Sequence, residues 1–446
     1  MVQGPPIEVT QWIDERDFGG RQGVIVLLCA LVALLDGMDL QSIGLAAPLM
    51  TKDLEIAPPA FGAVFSAALA GLALGAFALG PLADRFGRKR VLIGATLAFG
   101  LFTLFTAAAS NLGELLAYRF LTGVGLGGAM PSFISLASDY VPRRMRGSVT
   151  SLVWAGFPLG GVVGGLLGSR IIPAFGWRSV FIAGGAPALI LAAVLMVALP
   201  ESLGYLIRSG APPARVAAAF KRAFGRASLP DDARLTVART EKGDVRPAQL
   251  FAAGQVEATL LLWIALFFTF MILVVNSAWS PTLLSARGVP LAQSALALAL
   301  FNFGALFGSG AAGLMLHRFG TVAILPAAYV GGALAYASLG AAAPSFSAIA
   351  LLQGLFGLFE GSASSGVIAL AALIYPAAIR ASGLGFAMAA GRCGSFAGPL
   401  VVGGLVGAGW PPEAVFLGVG SSTLIGALAS LWLGLRRPLL DDARTA

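Results

Sequence analysis

Long apolar stretches, separated by short turns rich in Gly, Pro and charge, follow one another along almost the whole chain. The breaks predict twelve spans, which begin near residues 22, 60, 88, 112, 147, 179, 257, 291, 320, 346, 381 and 413. Each stretch is long enough for a helix of about 20 residues that crosses a bilayer, and the alternation of a membrane β-barrel is lacking. The pattern therefore predicts an all-α membrane protein with twelve transmembrane helices.

The apolar pattern repeats between the two halves of the chain. Twelve positions recur 233 or 234 residues later; among them, Gly71, Gly75, Arg85, Gly123, Gly127 and Gly160 correspond to Gly304, Gly308, Arg318, Gly357, Gly361 and Gly394. We therefore predict an N-terminal six-helix bundle over residues 1–199, a linker over 200–256 and a C-terminal six-helix bundle over 257–446. Parallel repeats of this kind bind a ligand between the halves and expose it to alternate sides by rocking.

The composition agrees with a membrane location. Of the 446 residues, 57% are hydrophobic and 11% are charged, whereas soluble domains carry about 25% charged residues. A net charge of +8 could suit nucleic acid, but most Lys and Arg residues lie in alternate short loops and in the linker, where positive charge sets the orientation in the membrane. We therefore expect cytoplasmic termini, a lipid bilayer as the surroundings, and no nucleic acid.

The motifs also narrow the function classes. The first apolar segment, residues 22–50, is too long for a signal-peptide core and is expected to stay as a helix. Cys29 and Cys393, the only cysteines, lie inside apolar segments, so neither a disulfide framework nor a metal cluster is predicted. The chain has no HExxH, nucleophile-elbow or phosphate-loop motif. We expect no cofactor, no metal and no enzymatic activity; a non-transporting receptor or an enzyme embedded in the membrane is the alternative class.

Several stretches carry a family resemblance. "GPLADRFGRKR", after the second span, resembles the signature loop of the major facilitator superfamily, and the degenerate copy "HRFG", the "PES" after span six and the long linker lie where that family has them. "DGMDLQSIGLAAP", "YRFLTGVGLGGAMPS", "WSPTLL" and "YPAAIRASGLGFAMAAGRCGSFAGP" are similar to the aromatic acid/proton symporters. Leu40 and Ser280 depart from that narrower family, which commonly has a small polar residue and a Leu at these positions.

The resemblance implies a major facilitator fold and a secondary active transporter of the bacterial inner membrane. It implies import of a benzoate or hydroxybenzoate-like carboxylate together with protons, by alternating access, in a protein that functions as a monomer. The stretch "GFPLGGVVGG" in the fifth span resembles a pattern of antiporters instead. A proton-coupled exporter of drugs or metabolites is therefore the alternative.

Three acidic residues lie inside predicted spans, where a charge costs at least ~2.5–3.5 kcal/mol. Asp36 and Asp39 are three residues apart, so on a helix they share one face, and two close like charges favour holding a proton. The alternative is that they only pair or cap structurally; the resemblance implies that transport requires both. Glu360, in span ten, is either a second proton site or the partner of Arg392.

Two arginines also lie inside spans. Arg119 can bind a substrate carboxylate through its forked guanidinium, or it can pair with Asp39 in the empty state. Arg392 lies near the midplane and has no acidic neighbour in its own helix. It is our first choice as the anchor for an organic anion, and a structural pair with Glu360 is the alternative.

An aromatic substrate needs apolar walls and polar partners for its ring substituents. Trp279 and Phe356 are candidate walls, although most bulky aromatic residues in a membrane chain face lipid or core. Asn276, Asn302 and Gln353 are candidate partners for ring hydroxyls, because an unpaired amide in hydrocarbon is unfavourable.

Charged residues at two turns predict a gate. Asp84, Arg85 and Arg88 follow the second span, and Asp139 and Arg143 follow the fourth. The resemblance implies a latch in which Asp84 contacts the neighbouring half when the cytoplasmic side is closed and releases when that side opens. The alternative is a pair of solvated turns whose arginines only set the topology.

Overall fold

The protein is represented by a computed structural model, which describes residues 6–225, 234–236, 255–375 and 380–436. The helices are α1 (Val9–Asp14), α2 (Gly20–Asp53), α3 (Phe61–Phe86), α4 (Arg88–Ala108), α5 (Leu112–Asp139), α6 (Arg143–Phe175), α7 (Arg178–Ala198), α8 (Leu203–Arg208), α9 (Pro213–Phe224), α10 (Val256–Ala286), α11 (Leu291–Phe319), α12 (Thr321–Ala341), α13 (Phe346–Ile374), α14 (Arg380–Gly407) and α15 (Pro412–Arg436). A 3-10 turn, Pro58–Ala60, precedes α3, and strands β1 (Pro6–Glu8) and β2 (Arg234–Thr236) pair in parallel.

Twelve helices, α2 to α7 and α10 to α15, are long and apolar enough to cross a membrane. The prediction of an all-α membrane protein with twelve spans is therefore confirmed. Gly87 and Gly320 end the corresponding helices α3 and α11 with φ of +104° and +81°. Glycine takes up this region readily because it has no Cβ, which explains why the sharp turn and its glycine occur in both halves.

The two six-helix halves repeat each other in their closest helix contacts. A Cβ placed on Gly71 would lie 1.9 Å from the carbonyl oxygen of Phe120, and one placed on Gly304 would lie 2.3 Å from that of Gly354. Each glycine lets two backbones approach as small residues do in membrane helix pairs. These pairs are related by the predicted offsets of 233 and 234 residues, so the predicted repeat is confirmed.

The two bundles are joined on one side of the molecule and separate on the other. On the side where α2 ends, here called the closed face, residues of both bundles form one apolar core that includes Phe65 of α3 and Trp279 of α10. On the side where α2 begins, here called the linker face, the described residues of the N-terminal and C-terminal bundles form two separate cores. The interface between the bundles is therefore sealed at the closed face and open toward the linker face.

Backbone contacts seal the closed face. A Cβ on Gly44 of α2 would lie 2.1 Å from the carbonyl oxygen of Ser277 in α10, and one on Gly62 of α3 would lie 2.7 Å from that of Pro399 in α14. Such close approach needs glycine at these positions. The seal is therefore built from interlocked backbones of the two halves.

The described part of the linker packs on the N-terminal bundle. Phe220 and Phe224 of α9 contact Trp12 of α1 edge-on, with ring centroids 4.6 and 5.1 Å apart, and Arg21 Nη1 donates to the Lys221 carbonyl oxygen at 3.0 Å. Nearly half of the predicted linker, residues 226–233 and 237–254, lies outside the described residues. The predicted division at residues 199 and 256 stays a prediction.

Candidate functional site

The interior of the N-terminal bundle holds a buried ion pair. Arg119 of α5 donates from Nη1 to Asp39 Oδ1 at 3.0 Å and from Nη2 to Asp39 Oδ2 at 2.7 Å, and Thr103 Oγ1 of α4 donates to Asp39 Oδ1 at 3.2 Å. Both charged side chains are 1% exposed. Two parallel charge-assisted bonds hold the carboxylate firmly. In this conformation Arg119 is committed to Asp39, as one of the two sequence alternatives states, and does not offer its guanidinium to a ligand.

Asp36 lies in different surroundings from Asp39. Among the described residues it has no hydrogen-bond or ion-pair partner, and its charge interacts with those of Arg392 and Asp39. Three residues turn a helix by about 300°, so the two acids lie about 60° apart around α2. They therefore share one broad face, from which Asp39 pairs inside the N-terminal bundle while Asp36 lies toward Arg392 of the C-terminal half.

Arg392 of α14 lies between the two halves and is half-buried. Its Nη2 contacts the Met130 sulfur of α5 at 3.2 Å, a weak acceptor for a cation. Within the ranges that the structure describes, no carboxylate oxygen approaches its guanidinium within 4.0 Å. A cation at this depth that faces the other bundle without a tight counter-charge is suited to hold an anion.

Glu360 is not the partner of Arg392. Its side chain is 5% exposed and borders a small cavity inside the C-terminal bundle together with Thr269, Tyr329 and Thr423. Its Oε1 has no hydrogen-bond partner among the described residues. The predicted alternative of a Glu360–Arg392 pair is therefore wrong, because Glu360 faces the bundle interior while Arg392 faces α5 across the interface.

The two candidate aromatic walls belong to the core of the closed face. Trp279 is fully buried, donates from Nε1 to the Pro399 carbonyl oxygen at 3.2 Å and meets Phe65 at 5.5 Å between ring centroids. Phe356 is 1% exposed and stacks on Phe301 with centroids 5.1 Å apart. In this conformation both rings pack against other core rings, and Phe356 also borders the small cavity beside Glu360, so the expectation that they wall a ligand cleft stays a prediction.

Two of the candidate amides bond to each other inside the C-terminal bundle. Gln353 Nε2 donates to Asn276 Oδ1 at 3.0 Å, and Ser280 Oγ donates to the same oxygen at 2.7 Å. Asn276 Nδ2 and Gln353 Oε1 are buried and have no partner among the described residues. Gln353 follows Arg119 by 234 residues, so a neutral amide takes the position of the arginine, while its partner Asn276 lies one helical turn beyond Ile272, the counterpart of Asp39.

The third candidate amide, Asn302 of α11, bonds to Gln41 in the other half of the protein. Gln41 of α2 donates from Nε2 to Ser277 Oγ at 3.3 Å and to Asn302 Oδ1 at 3.4 Å, and all three side chains are buried. Gln41 is not among the residues predicted from the sequence, although it lies within the stretch "DGMDLQ". An uncharged polar group in hydrocarbon requires a partner, and this signal also applies to Gln41.

The predicted gate residues form bonds within the N-terminal half. Arg88 Nη1 lies 2.6 Å from Asp139 Oδ2, and Arg88 Nη2 lies 3.8 Å from Asp84 Oδ1. Arg85 stacks on the ring of Phe86. Asp84 is 64% exposed. No described contact ties it to the other half, in agreement with an open linker face.

Arg143 and Tyr140 tie the same turn to its neighbours. Arg143 Nε lies 3.2 Å from Asp14 Oδ2, so the N-terminal segment holds this arginine. Tyr140 donates its hydroxyl to the Glu201 carbonyl oxygen. Burial, with the charges of Asp139 and Glu201, raises the pKa of the Tyr140 hydroxyl well above its ordinary value. This tyrosine therefore acts as a neutral donor that fastens the turn to the segment after α7.

The described residues contain no group of three or more His, Cys, Asp or Glu side chains that could hold a metal ion. The site consists of an arginine between the halves, an uncommitted acid on α2, and a sealed ion pair behind it. Such a site can bind an organic anion between two bundles and exchange protons at carboxylates. It offers charge and hydrogen bonds to a ligand.

Comparisons with known proteins agree with this arrangement. A sequence model described as Major Facilitator Superfamily matches residues 29–340 and 261–445. The chain is 35% identical to a gallate transporter of Pseudomonas putida over 99% of this chain and 98% of that protein. It is also 35% identical to the 4-hydroxybenzoate transporter PcaK of Pseudomonas aeruginosa, over 96% of each chain.

A solved structure shares the fold. The D-xylose-proton symporter superposes with a TM-score of 0.72 at 19% identity, covering 92% of this chain and 96% of that one. At this identity the likeness concerns the fold alone, a twelve-helix arrangement with paired bundles. The match of the sequence model to most of the chain, together with the full-length relatives, shows that the protein belongs to the Major Facilitator Superfamily of membrane transporters.

Proposed function

We propose that this protein imports an aromatic carboxylate together with protons across the bacterial inner membrane, and that it works as a monomer with both termini in the cytoplasm. The observation that carries the proposal is Arg392, a half-buried guanidinium between the bundles with no carboxylate within 4.0 Å among the described residues. The names of the relatives, transporters of gallate and 4-hydroxybenzoate, support an aromatic acid as its ligand.

Asp36 would couple the proton to the substrate. When ionised, Asp36 attracts Arg392 across the interface and competes with an organic anion for its positive charge. When protonated, it leaves the guanidinium free to bind the substrate carboxylate. Binding of the proton therefore favours binding of the anion, and binding of the anion favours binding of the proton. Symport requires this coupling.

Asp39 and Glu360 are the further proton sites of the proposal. Protonation of Asp39 would weaken two charge-assisted bonds to Arg119 and loosen α5 from α2, a change that can accompany rocking of the bundles. Glu360 has no cation within 4.0 Å in the described ranges, so a proton would neutralise it in the C-terminal bundle. Each net charge moved inward gains about 2.3 kcal/mol per 100 mV of membrane potential.

The linker face would be the cytoplasmic side. Most basic turns, including the one that carries Arg85 and Arg88, lie at this face, as expected for positive charge retained inside. The open interface would then release substrate to the cytoplasm, and the closed face would open to load it. Asp84 and Arg143 would meet the other half when the linker face closes. The orientation is tested with a reporter enzyme that is active only in the periplasm and is fused after residue 446. We expect no reporter activity, and an active reporter would contradict a cytoplasmic C-terminus.

Uptake of radiolabelled 4-hydroxybenzoate by cells that express the protein tests the function. We expect accumulation that a protonophore abolishes. Arg392→Gln should raise KM about tenfold to a hundredfold, because a hydrogen bond to a charged group contributes about 1.5–3 kcal/mol. The matched control is Arg178→Gln, which removes an arginine whose pair with Asp53 is 47% exposed at the closed face. Accumulation that survives the protonophore, or an unchanged KM in Arg392→Gln, would refute the proposal.

A further inference from the structure

Gln41 has a carbonyl group whose direction is set by its neighbours. Ser277 Oγ donates its proton to the Leu273 carbonyl oxygen at 3.1 Å, and Asn302 Nδ2 donates to the Leu298 carbonyl oxygen at 2.8 Å. Ser277 Oγ and Asn302 Oδ1 therefore act as acceptors toward Gln41, and only the amide nitrogen of Gln41 can serve both. The carbonyl oxygen is left on the other side of the amide.

That oxygen is buried and lacks a donor. Gln41 is 1% exposed, and its Oε1 has no hydrogen-bond partner among the described residues. A buried acceptor without a donor is unfavourable, and such groups are uncommon in folded proteins. An acceptor of this kind at the interface of two moving bundles indicates a donor that is supplied only when a ligand is bound.

The depth of Gln41 suits a ligand anchored by Arg392. Gln41 lies twelve residues before the closed-face end of α2, and Met130, which the Arg392 guanidinium contacts, lies eighteen residues beyond the closed-face start of α5. Gln41 therefore lies nearer the closed face than the Arg392 guanidinium does. An elongated ligand that is anchored at Arg392 and points toward the closed face extends toward Gln41.

We propose that Gln41 is a specificity-determining residue that accepts a hydrogen bond from a ring hydroxyl, so that the preferred substrates are hydroxylated aromatic carboxylates. The inference rests on the proposed function, since it requires a ring anchored at Arg392. A phenolic hydroxyl para to the carboxylate points along the axis from Arg392 toward the closed face and donates to Gln41 Oε1. An unsubstituted ring leaves that oxygen unpaired, and a methoxy group brings a second acceptor against it.

Competition for uptake tests the inference. The inhibition constants of benzoate, 4-hydroxybenzoate and 4-methoxybenzoate are measured against labelled substrate in wild type, Gln41→Leu and Ser277→Ala. In wild type, 4-hydroxybenzoate should bind about tenfold more tightly than the other two, the effect expected of one neutral hydrogen bond in a buried site. In Gln41→Leu the three constants should fall within about twofold of one another.

Ser277→Ala is the matched control. It removes one of the two acceptors that hold the Gln41 amide but keeps the carbonyl oxygen, so the preference for 4-hydroxybenzoate should persist even where all three constants move together. A Gln41 that served only to join the bundles would shift the three constants in parallel in both variants, and that result would overturn the inference. Gln41→Met, which keeps the side-chain length, replaces Gln41→Leu if the latter does not reach the membrane.

The outcomes separate the two proposals. Cells that take up no aromatic acid at all refute the proposed function. Cells that take up benzoate and 4-hydroxybenzoate with equal inhibition constants, or a Gln41→Leu variant that keeps the tenfold preference, refute only the role of Gln41.

Discussion

Replacing Asp39 by Asn leaves the Arg119 guanidinium buried without its counter-charge. Both side chains are 1% exposed, and two bonds of 3.0 and 2.7 Å join them. Removal of one partner from a buried pair costs about 3–5 kcal/mol, because the remaining charge is left uncompensated. We therefore expect Asp39→Asn to lower the free energy of unfolding by that amount.

The other half of the protein suggests the compensating change. Gln353, the counterpart of Arg119, bonds to Asn276 of α10 at 3.0 Å, so the fold accommodates a neutral amide with an amide partner at the position of the arginine. The double variant Asp39→Asn/Arg119→Gln should therefore regain most of the loss and come within about 1–2 kcal/mol of wild type.

Thermal unfolding of the purified protein in detergent measures these differences. For 446 residues that unfold as one unit, about 1 kcal/mol corresponds to about 1 °C in Tm, so Asp39→Asn should unfold about 3–5 °C below wild type. The control is Asp53→Asn, which breaks an ion pair whose side chains are 47% exposed and should lower Tm far less, because solvent screens exposed charges. Equal decreases in Tm for Asp39→Asn and Asp53→Asn would show that the pair is not buried as described. So would a double variant whose loss of stability equals the sum of the losses in Asp39→Asn and Arg119→Gln.

Three further predictions concern packing and the gate. Gly71→Leu should abolish accumulation of folded protein, because a Cβ would meet the backbone of α5 at 1.9 Å, whereas Gly80→Ala, with no atom within 4 Å of its Cβ, should accumulate normally on immunoblots of membranes. Arg88→Gln removes the bond of 2.6 Å to Asp139 and should reduce the maximal uptake rate severalfold while KM stays close to wild type; a change confined to KM would contradict a gating role. Trp177→Phe loses a hydrogen bond at 2.9 Å on the closed face, which should cost about 1 kcal/mol in thermal unfolding and leave uptake unchanged.

The buried polar and charged residues show the limit of prediction from local sequence pattern. Asp36 and Asp39 can be predicted as functional because a charged side chain inside a membrane span is costly and usually has a role. Their different surroundings, however, depend on which helices pack against α2. The sequence likewise shows that Arg392 has no acidic neighbour in its own helix. The alternative pairing with Glu360 is wrong because α13 and α14 direct these two side chains toward different spaces. The partners of Gln41 could not be predicted, because Ser277 and Asn302 come from the other half of the chain.

The sequence by itself determined the number of spans, their approximate ends and the internal repeat. These follow from the length and spacing of apolar stretches and glycines, which are local properties that the bilayer imposes on any crossing helix. Only the tertiary structure decided that Asp39 pairs with Arg119, that Arg392 faces Met130, and that the bundles close on one face. The physical reason is that a contact between helices depends on the rotation and crossing of both partners. These are set jointly by residues that lie 80 positions apart in the chain for Asp39 and Arg119 and 262 apart for Arg392 and Met130.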